Sequence, residues 1–363
     1  MLDIMNRLNL TRATMSEKIP ILFIVCDVGG THALLPVIRL FQKSTTELPV
    51  VFASGAAPDV LKAAGIPHTV VPLLSIAEFQ RVFRDIRPVA VVAGTSGGIT
   101  VDKHCIAAAK ETGIPTIAVL DSWINYVQRF NTDNSDRINP QMLPDRIAVM
   151  DEIALNDMVA LGFPKERIVV TGSPYLASLK ERFLLRSVNK KRIGFIDEPF
   201  RETIDAGWHP DWGYDEYGVF ADLCRVLLDL GFSGELAVLL HPRRKDTGGY
   251  PTPQYPFLVR FVTGEDKSSV IETAGTFVGM SSMLLFELAL LSRNVISYQP
   301  NLVIKDQFIG NRAGVTSGIY TKEMLRDMLS RMLTSEKDVP TPHAYAYARP
   351  DAAERIVELA RSL

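Results

Sequence analysis

The run ILFIVC at residues 21–26 is apolar throughout, and it stops at Asp27-Val28-Gly29-Gly30 before a helical pattern that continues through Phe41. No other feature constrains the fold as strongly. A strand that is apolar on both faces must be covered on both, which is the situation of a parallel sheet with helices above and below it. The unit then recurs. Residues 49–53 predict a strand, 59–64 a helix closed by Gly65, 68–71 a short strand, and 76–86 a helix. Residues 89–93 predict a strand ending at Gly94, 101–111 a helix closed by Gly113, and 116–120 a strand. Two further strands, 146–149 and 168–171, flank a helix over 153–161. Glycine takes the left-handed cap and proline cannot continue a helix, so Gly65-Ile66-Pro67 and Gly113-Ile114-Pro115 are stop signals.

The pattern weakens over residues 173–191 and restarts as a strand at 193–196, which puts the domain boundary within 173–192. The second half repeats the theme. It predicts a helix over 217–230 closed by Gly231, a strand over 236–240 ending at His241-Pro242, and a strand over 276–278. A helix over 283–291, a strand over 294–298 and helices over 321–333 and 351–363 complete it. Segments 201–214, with Trp208 and Trp212, and 243–256 read as loops long enough to be functional. Such alternation predicts doubly wound parallel sheets. A length of 363 residues with 47% hydrophobic content suits two domains with a core each.

Formal net charge is −2, so no global basic field attracts nucleic acid. Cys26, Cys105 and Cys224 are odd in number and show no metal-ligand spacing, which reads as free thiols in a reducing compartment. Residues 1–18 lack the apolar core of a signal peptide, and no run is long enough to span a bilayer. The expectation is a cytoplasmic chain without a transmembrane segment, and peripheral membrane contact stays open. No GxGxxG follows the first strand, and Ala53-Ser54-Gly55 stands where a dinucleotide site would carry an acid, so no NAD is expected.

Five stations could carry chemistry. Gly29-Gly30-Thr31-His32 follows the first strand, where glycines let a ligand approach and His32 could serve as a general base. Gly94-Thr95-Ser96 and Asp121 stand at two further strand ends. Asp121 could act as a base or hold acceptor hydroxyls. His241, Arg243 and Arg244 follow a strand of the second half and offer a donor and two cations to phosphate oxygens. Gly279, Ser281 and Ser282 end another strand at the start of a helix, where free N–H groups suit an anion. Glu287 follows on that helix among apolar neighbours and needs a partner such as ribose hydroxyls. Each station has a structural alternative: local packing for His32, turns or caps for residues 94–96, Asp121, Ser281 and Ser282, a solvated loop for the arginines, and an arginine pair for Glu287.

These stations, in this order, resemble the GT-B superfamily of nucleotide-sugar enzymes. Gly29-Gly30-Thr31-His32 resembles the glycine-rich first loop of the transferase that makes lipid II, which also carries a histidine. Ser281-Ser282 through Glu287, followed by the strand at 294–298, resembles the superfamily's diphosphate- and ribose-binding stretch. His241-Pro242 with Ser281-Ser282 resembles the HP and serine motifs of bacterial GT-B sialyltransferases. The resemblance implies two Rossmann-like doubly wound domains facing a cleft. It divides the chain into an N-terminal extension at 1–18 and an acceptor-side domain at 19–180. A nucleotide-sugar-binding domain at 190–340 and a C-terminal helix at 345–363 that crosses back to the first domain complete it. His32 and Asp121 become the catalytic candidates. His241, Arg243, Arg244, Gly279, Ser281, Ser282 and Glu287 become donor ligands, and Gly29, Gly30, Gly94, Thr95 and Ser96 line the acceptor side.

The implied activity is glycosyl transfer in bacterial surface-polysaccharide or glycoconjugate synthesis, from a nucleotide-sugar to a carbohydrate or lipid-linked acceptor. No metal and no cofactor beyond the substrate nucleotide are implied. UDP-N-acetylglucosamine 2-epimerases share the fold, but the sequence departs from them. Thr95-Ser96 replaces an aspartate, Glu287 stands alone where they carry two glutamates, and Asp121 replaces a glutamate region. Removing and returning a proton needs several carboxylates, so transfer ranks above epimerisation. A non-catalytic nucleotide-sugar-binding protein is the third reading.

Overall fold

A computed structural model describes residues 18–132, 135, 137–183, 186–207, 210–244, 247, 249–251, 254–264, 266–334, 347 and 349–363. The expected extension at 1–18, Lys18 apart, lies outside these residues, as do Trp208 and residues 335–346, where the C-terminal segment was expected to begin. The chain divides into two compact units, one formed by 1–178 with 347–363 and the other by 179–346.

In the first unit, β1 (Ile19–Val25), β2 (Glu47–Ala53), β3 (Thr69–Val70), β4 (Ala90–Ala93), β5 (Thr116–Val119), β6 (Arg146–Val149) and β7 (Ile168–Val170) form one sheet. Its order is β3-β2-β1-β4-β5-β6-β7, and every pairing is parallel. The central strand β1 is buried on both faces, as its unbroken apolar run requires. Ile21, Phe23 and Val25 point to one side, into a cluster with Leu34, Val37, Ile38 and Phe41 of the Val28–Gln42 helix. Ala353, Ile356, Val357 and Ala360 of the Ala352–Arg361 helix close the same cluster, and Leu359 packs at its margin. Burying a side chain such as Ile356 contributes roughly 1.5–3 kcal/mol. Arg361 clamps this helix down by donating from Nε to Glu47 Oε1 at 2.7 Å, which holds the Glu47 carboxyl near 2.

In the second unit, β8 (Asn189–Ile196), β9 (Glu235–Leu239), β10 (Leu258–Val262), β11 (Ala274–Gly279), β12 (Asn294–Tyr298) and β13 (Gly318–Ile319) form a sheet ordered β10-β9-β8-β11-β12-β13. These pairings are parallel too. The fold class is therefore α/β with two doubly wound parallel sheets. The sequence pattern did not reveal β10 and β13. The former is an edge strand whose Leu258 is exposed, and the latter has two residues. The stretch read as a loop over 201–214 also contains most of a short helix, Phe200–Asp205. Among the described residues, no helix is long and apolar enough to cross a membrane.

Candidate functional site

Open parallel sheets bind ligands beyond the carboxyl ends of strands, where the strand order reverses. Each unit has one such point: between β1 and β4 in the first, and between β8 and β11 in the second. The sequence-derived stations fall around these two points, and each is built differently.

In the first unit, Asp27 is the N-cap of a helix that already begins at Val28. Gly29 and Gly30 therefore lie in the first helical turn rather than in a loop before it, and Thr31 donates from its N–H to Asp27 O at 3.0 Å. Glycine is a poor helix former, so packing must explain the pair. A Cβ on Gly29 would overlap Asp121 Oδ2, and one on Gly30 would lie 3.1 Å from Thr95 N, while Gly94 packs back on Gly30. The ends of β1, β4 and β5 thus close on one another. Thr95 Oγ1 donates to Asp121 Oδ1 at 3.1 Å. Arg129, which sequence reasoning missed, donates from Nη1 to Thr95 Oγ1 at 2.8 Å and pairs with Asp121. Asp121 accordingly meets a full positive charge. Nearby, the buried Lys103 spends its ammonium on the carbonyls of Gly98, Gln128 and Asn131, at 2.5, 2.8 and 2.6 Å, which ties the loop after β4 to the segment carrying Arg129. Ser96 is buried beside Cys26, whose thiol is pushed up to about 11, mainly by burial. His32 is partly exposed and sits against the Tyr175 ring, with centroids 5.6 Å apart.

In the second unit, β8 runs into Asp197 and Glu198, two acids that sequence reasoning passed over. Asp197 is 2% exposed. It accepts from His241 N at 2.8 Å, Arg244 Nε at 2.7 Å and Tyr250 Oη at 2.5 Å. Arg244 also pairs with Glu216, itself fully buried, and donates to Tyr217 Oη at 2.9 Å. Its guanidinium is thus engaged by two carboxylates and a phenol. Arg243 is exposed, and its N–H donates to His241 Nδ1 at 3.2 Å. That bond leaves Nε2 to carry the proton of the neutral ring. Burial first, and the Arg243 charge second, lower the His241 pKa, so the neutral form dominates at pH 7.

Glu198 makes the contact that best defines the site. Its Oε1 accepts from Met280 N at 3.1 Å and Ser281 N at 2.8 Å, and its Oε2 accepts from Ser281 Oγ at 3.1 Å. Two successive backbone N–H groups aimed at one oxygen form an anion-binding concavity. The turn at 279–282 is held by other groups. A Cβ on Gly279 would lie 2.9 Å from Leu285 Cδ1 and 3.2 Å from Ile196 Cβ, so β11 passes close against the end of β8 there. Ser297 Oγ donates to Met280 O at 2.6 Å, and Ser282 Oγ caps the Met283–Leu290 helix by accepting from Leu284 N at 3.2 Å. Desolvation outweighs the hydrogen bonds and pushes the Glu198 carboxyl up to about 7. Glu287, on that helix, is 8% exposed. The structure thus sets Ser281 and Ser282 at Glu198, with Gly279 in the same turn against Ile196 and Leu285, and His241 and Arg244 around the adjacent Asp197. An acidic pair directly after a strand that opens a doubly wound half was the signal available in the sequence.

No protein-family model matches the sequence, and no curated protein matches it. Solved structures do resemble the fold. UDP-GlcNAc 2-epimerase from Methanocaldococcus jannaschii matches with a TM-score of 0.67 at 13% identity, over 95% of this chain and 100% of that one. UDP-GlcNAc 2-epimerase from Neisseria meningitidis, solved bound to UDP-GlcNAc, matches with a TM-score of 0.65 at 13% identity, over 95% and 100%. MurG from Acinetobacter baumannii matches with a TM-score of 0.58 at 14% identity, over 95% and 100%. The chain shares the GT-B fold of these nucleotide-sugar enzymes.

Proposed function

We propose that the chain is a glycosyltransferase that takes its sugar from a nucleotide-sugar, with the second unit holding the donor phosphate. One observation carries the reading: at the reversal point of the second sheet, Met280 N, Ser281 N and Ser281 Oγ converge on a single anion. Groups so placed stabilise the charge that grows on a departing phosphate, and being fixed beforehand they need no reorganisation during the reaction. His241, through Nε2–H, and the exposed Arg243 would add a neutral donor and a cation beyond β9. Arg244 would instead brace the loop through its pairs with Asp197 and Glu216. Glu287 remains the candidate for the ribose hydroxyls.

In the first unit His32 is the candidate base. Asp121, already matched by Arg129, would orient an acceptor hydroxyl rather than take its proton. Epimerisation at C2 is the second reading, favoured by the full-length likeness to two UDP-GlcNAc 2-epimerases. Incubation with labelled UDP- and CMP-sugars, with and without saccharide acceptors, separates the two. Transfer, or slow release of free sugar, is expected. A C2 epimer of the nucleotide-sugar without release would establish the second reading, and neither reaction with any donor would overturn both.

A further inference from the structure

We infer that Glu198 is a built-in competitor, which occupies the phosphate seat of turn 279–282 until a donor phosphate displaces it. The inference rests on the donor-phosphate reading above and adds how access to that seat is controlled. A carboxylate and a phosphate oxygen ask for the same partners, charge-assisted N–H and O–H donors. The seat offers Glu198 two backbone N–H groups and one hydroxyl.

Three features mark the carboxylate as replaceable. First, the donors keep their aim without it. Ser297 pins the Met280 carbonyl, Ser282 caps the following helix, and Gly279 is wedged between Ile196 and Leu285. Second, among the described residues no ion pair fixes Glu198, whereas its neighbour Asp197 is paired with Arg244. The contacts that hold Glu198 are made by neutral groups, and a phosphate with more charge and more oxygens competes well for them. Third, Glu198, Ser281 and Ser282 are all partly exposed, so an incoming anion can reach the seat. The raised carboxyl pKa agrees, because it reports a charge that is incompletely compensated where it sits.

The test is calorimetric titration of the full chain at pH 8 with inorganic pyrophosphate and with UDP. A competitor seated about nine-tenths of the time raises the apparent Kd about tenfold, so Glu198→Gln and Glu198→Ala should each bind about tenfold more tightly. Unchanged or weaker binding in both overturns the inference. If Glu198→Ala fails to fold, the isosteric Glu198→Gln carries the test. In the unaltered chain, the Glu198 carboxyl carbon resonance, assigned by its loss in Glu198→Gln, must also move on saturation with pyrophosphate. A resonance that stays in place overturns the inference as well. The variant Ser281→Asp, which sets a second carboxylate against the seat, separates the two levels of failure. If it binds as the parent does, the phosphate seat itself is wrong. If it loses binding while the Glu198 variants gain none, the seat stands and only the competitor falls.

Discussion

Asp121 and Glu198 each stand two residues beyond the end of a parallel strand, one after β5 and the other after β8. Their surroundings differ. Asp121 meets the Arg129 guanidinium and the Thr95 hydroxyl, and Gly29 lies close against it. Among the described residues, Glu198 meets N–H groups and a hydroxyl and no cation. A whole opposite charge at contact distance holds a carboxylate in place, whereas the neutral donors around Glu198 leave its desolvation partly uncompensated. The first unit therefore presents a locked surface in which the acid is part of the frame. The second presents a seat whose occupant can be exchanged.

The largest effect that would sharpen this contrast lies at His32. If it serves as base beside the locked frame, His32→Ala lowers turnover roughly 10²–10⁴-fold with donor affinity nearly intact. If it only packs against Tyr175, thermal melts move and specific activity stays. Kinetics and melting of the one variant decide. Next comes Arg129. Arg129→Met strips Asp121 of its charge partner in a site where both side chains are mostly covered, and about 3 kcal/mol of stability should go with it. The isosteric Glu198→Gln should cost about 1 kcal/mol or less. Denaturant midpoints that shift equally in the two variants would erase the distinction.

The smallest effect is a slope. The folded Glu198 carboxyl titrates near 7 against an unfolded value of about 4.3. Between these values the folded chain binds more protons than the unfolded one, so this group's contribution to stability falls as pH rises from about 4.3 to about 7. Stability measured at pH 5 and pH 7.5 should differ less in Glu198→Gln than in the parent. An unchanged difference would mean that Glu198 is ordinarily ionised in its seat.

The sequence carried the frame better than the pairings across it. Strands such as 21–26 and 116–120 were legible because burial on both faces leaves no room for polar residues. The turn at Ser281 and Ser282 was legible because hydroxyls before an apolar helix mark its start. What was hidden depends on distance along the chain. Glu198 and Ser281 are 83 positions apart, and two acids after a strand look like solvated charge until β8 is laid beside β11. Arg129 falls in the unpatterned stretch between β5 and β6, where no period reports a role. Gly29 and Gly30 were read as a loop because glycine usually means one. Here they are helical, and their missing side chains make room for Asp121 and Thr95.

The Ala352–Arg361 helix packs with β1 and the Val28–Gln42 helix, although residues 179–346 belong to the other unit. The second unit is therefore an insertion in the first, and the order of synthesis has a consequence. On the ribosome the inserted unit, residues 179–346, is synthesised before the helix that closes its host. The face of the host that receives Ile356 and Val357 stays open until residues 352–361 emerge, so the unit begun first is closed after the inserted one. An N-terminal domain usually completes its folding first; in this chain its core is completed only by residues 352–361. Loss of the final dozen residues would leave the first core uncovered while sparing the second.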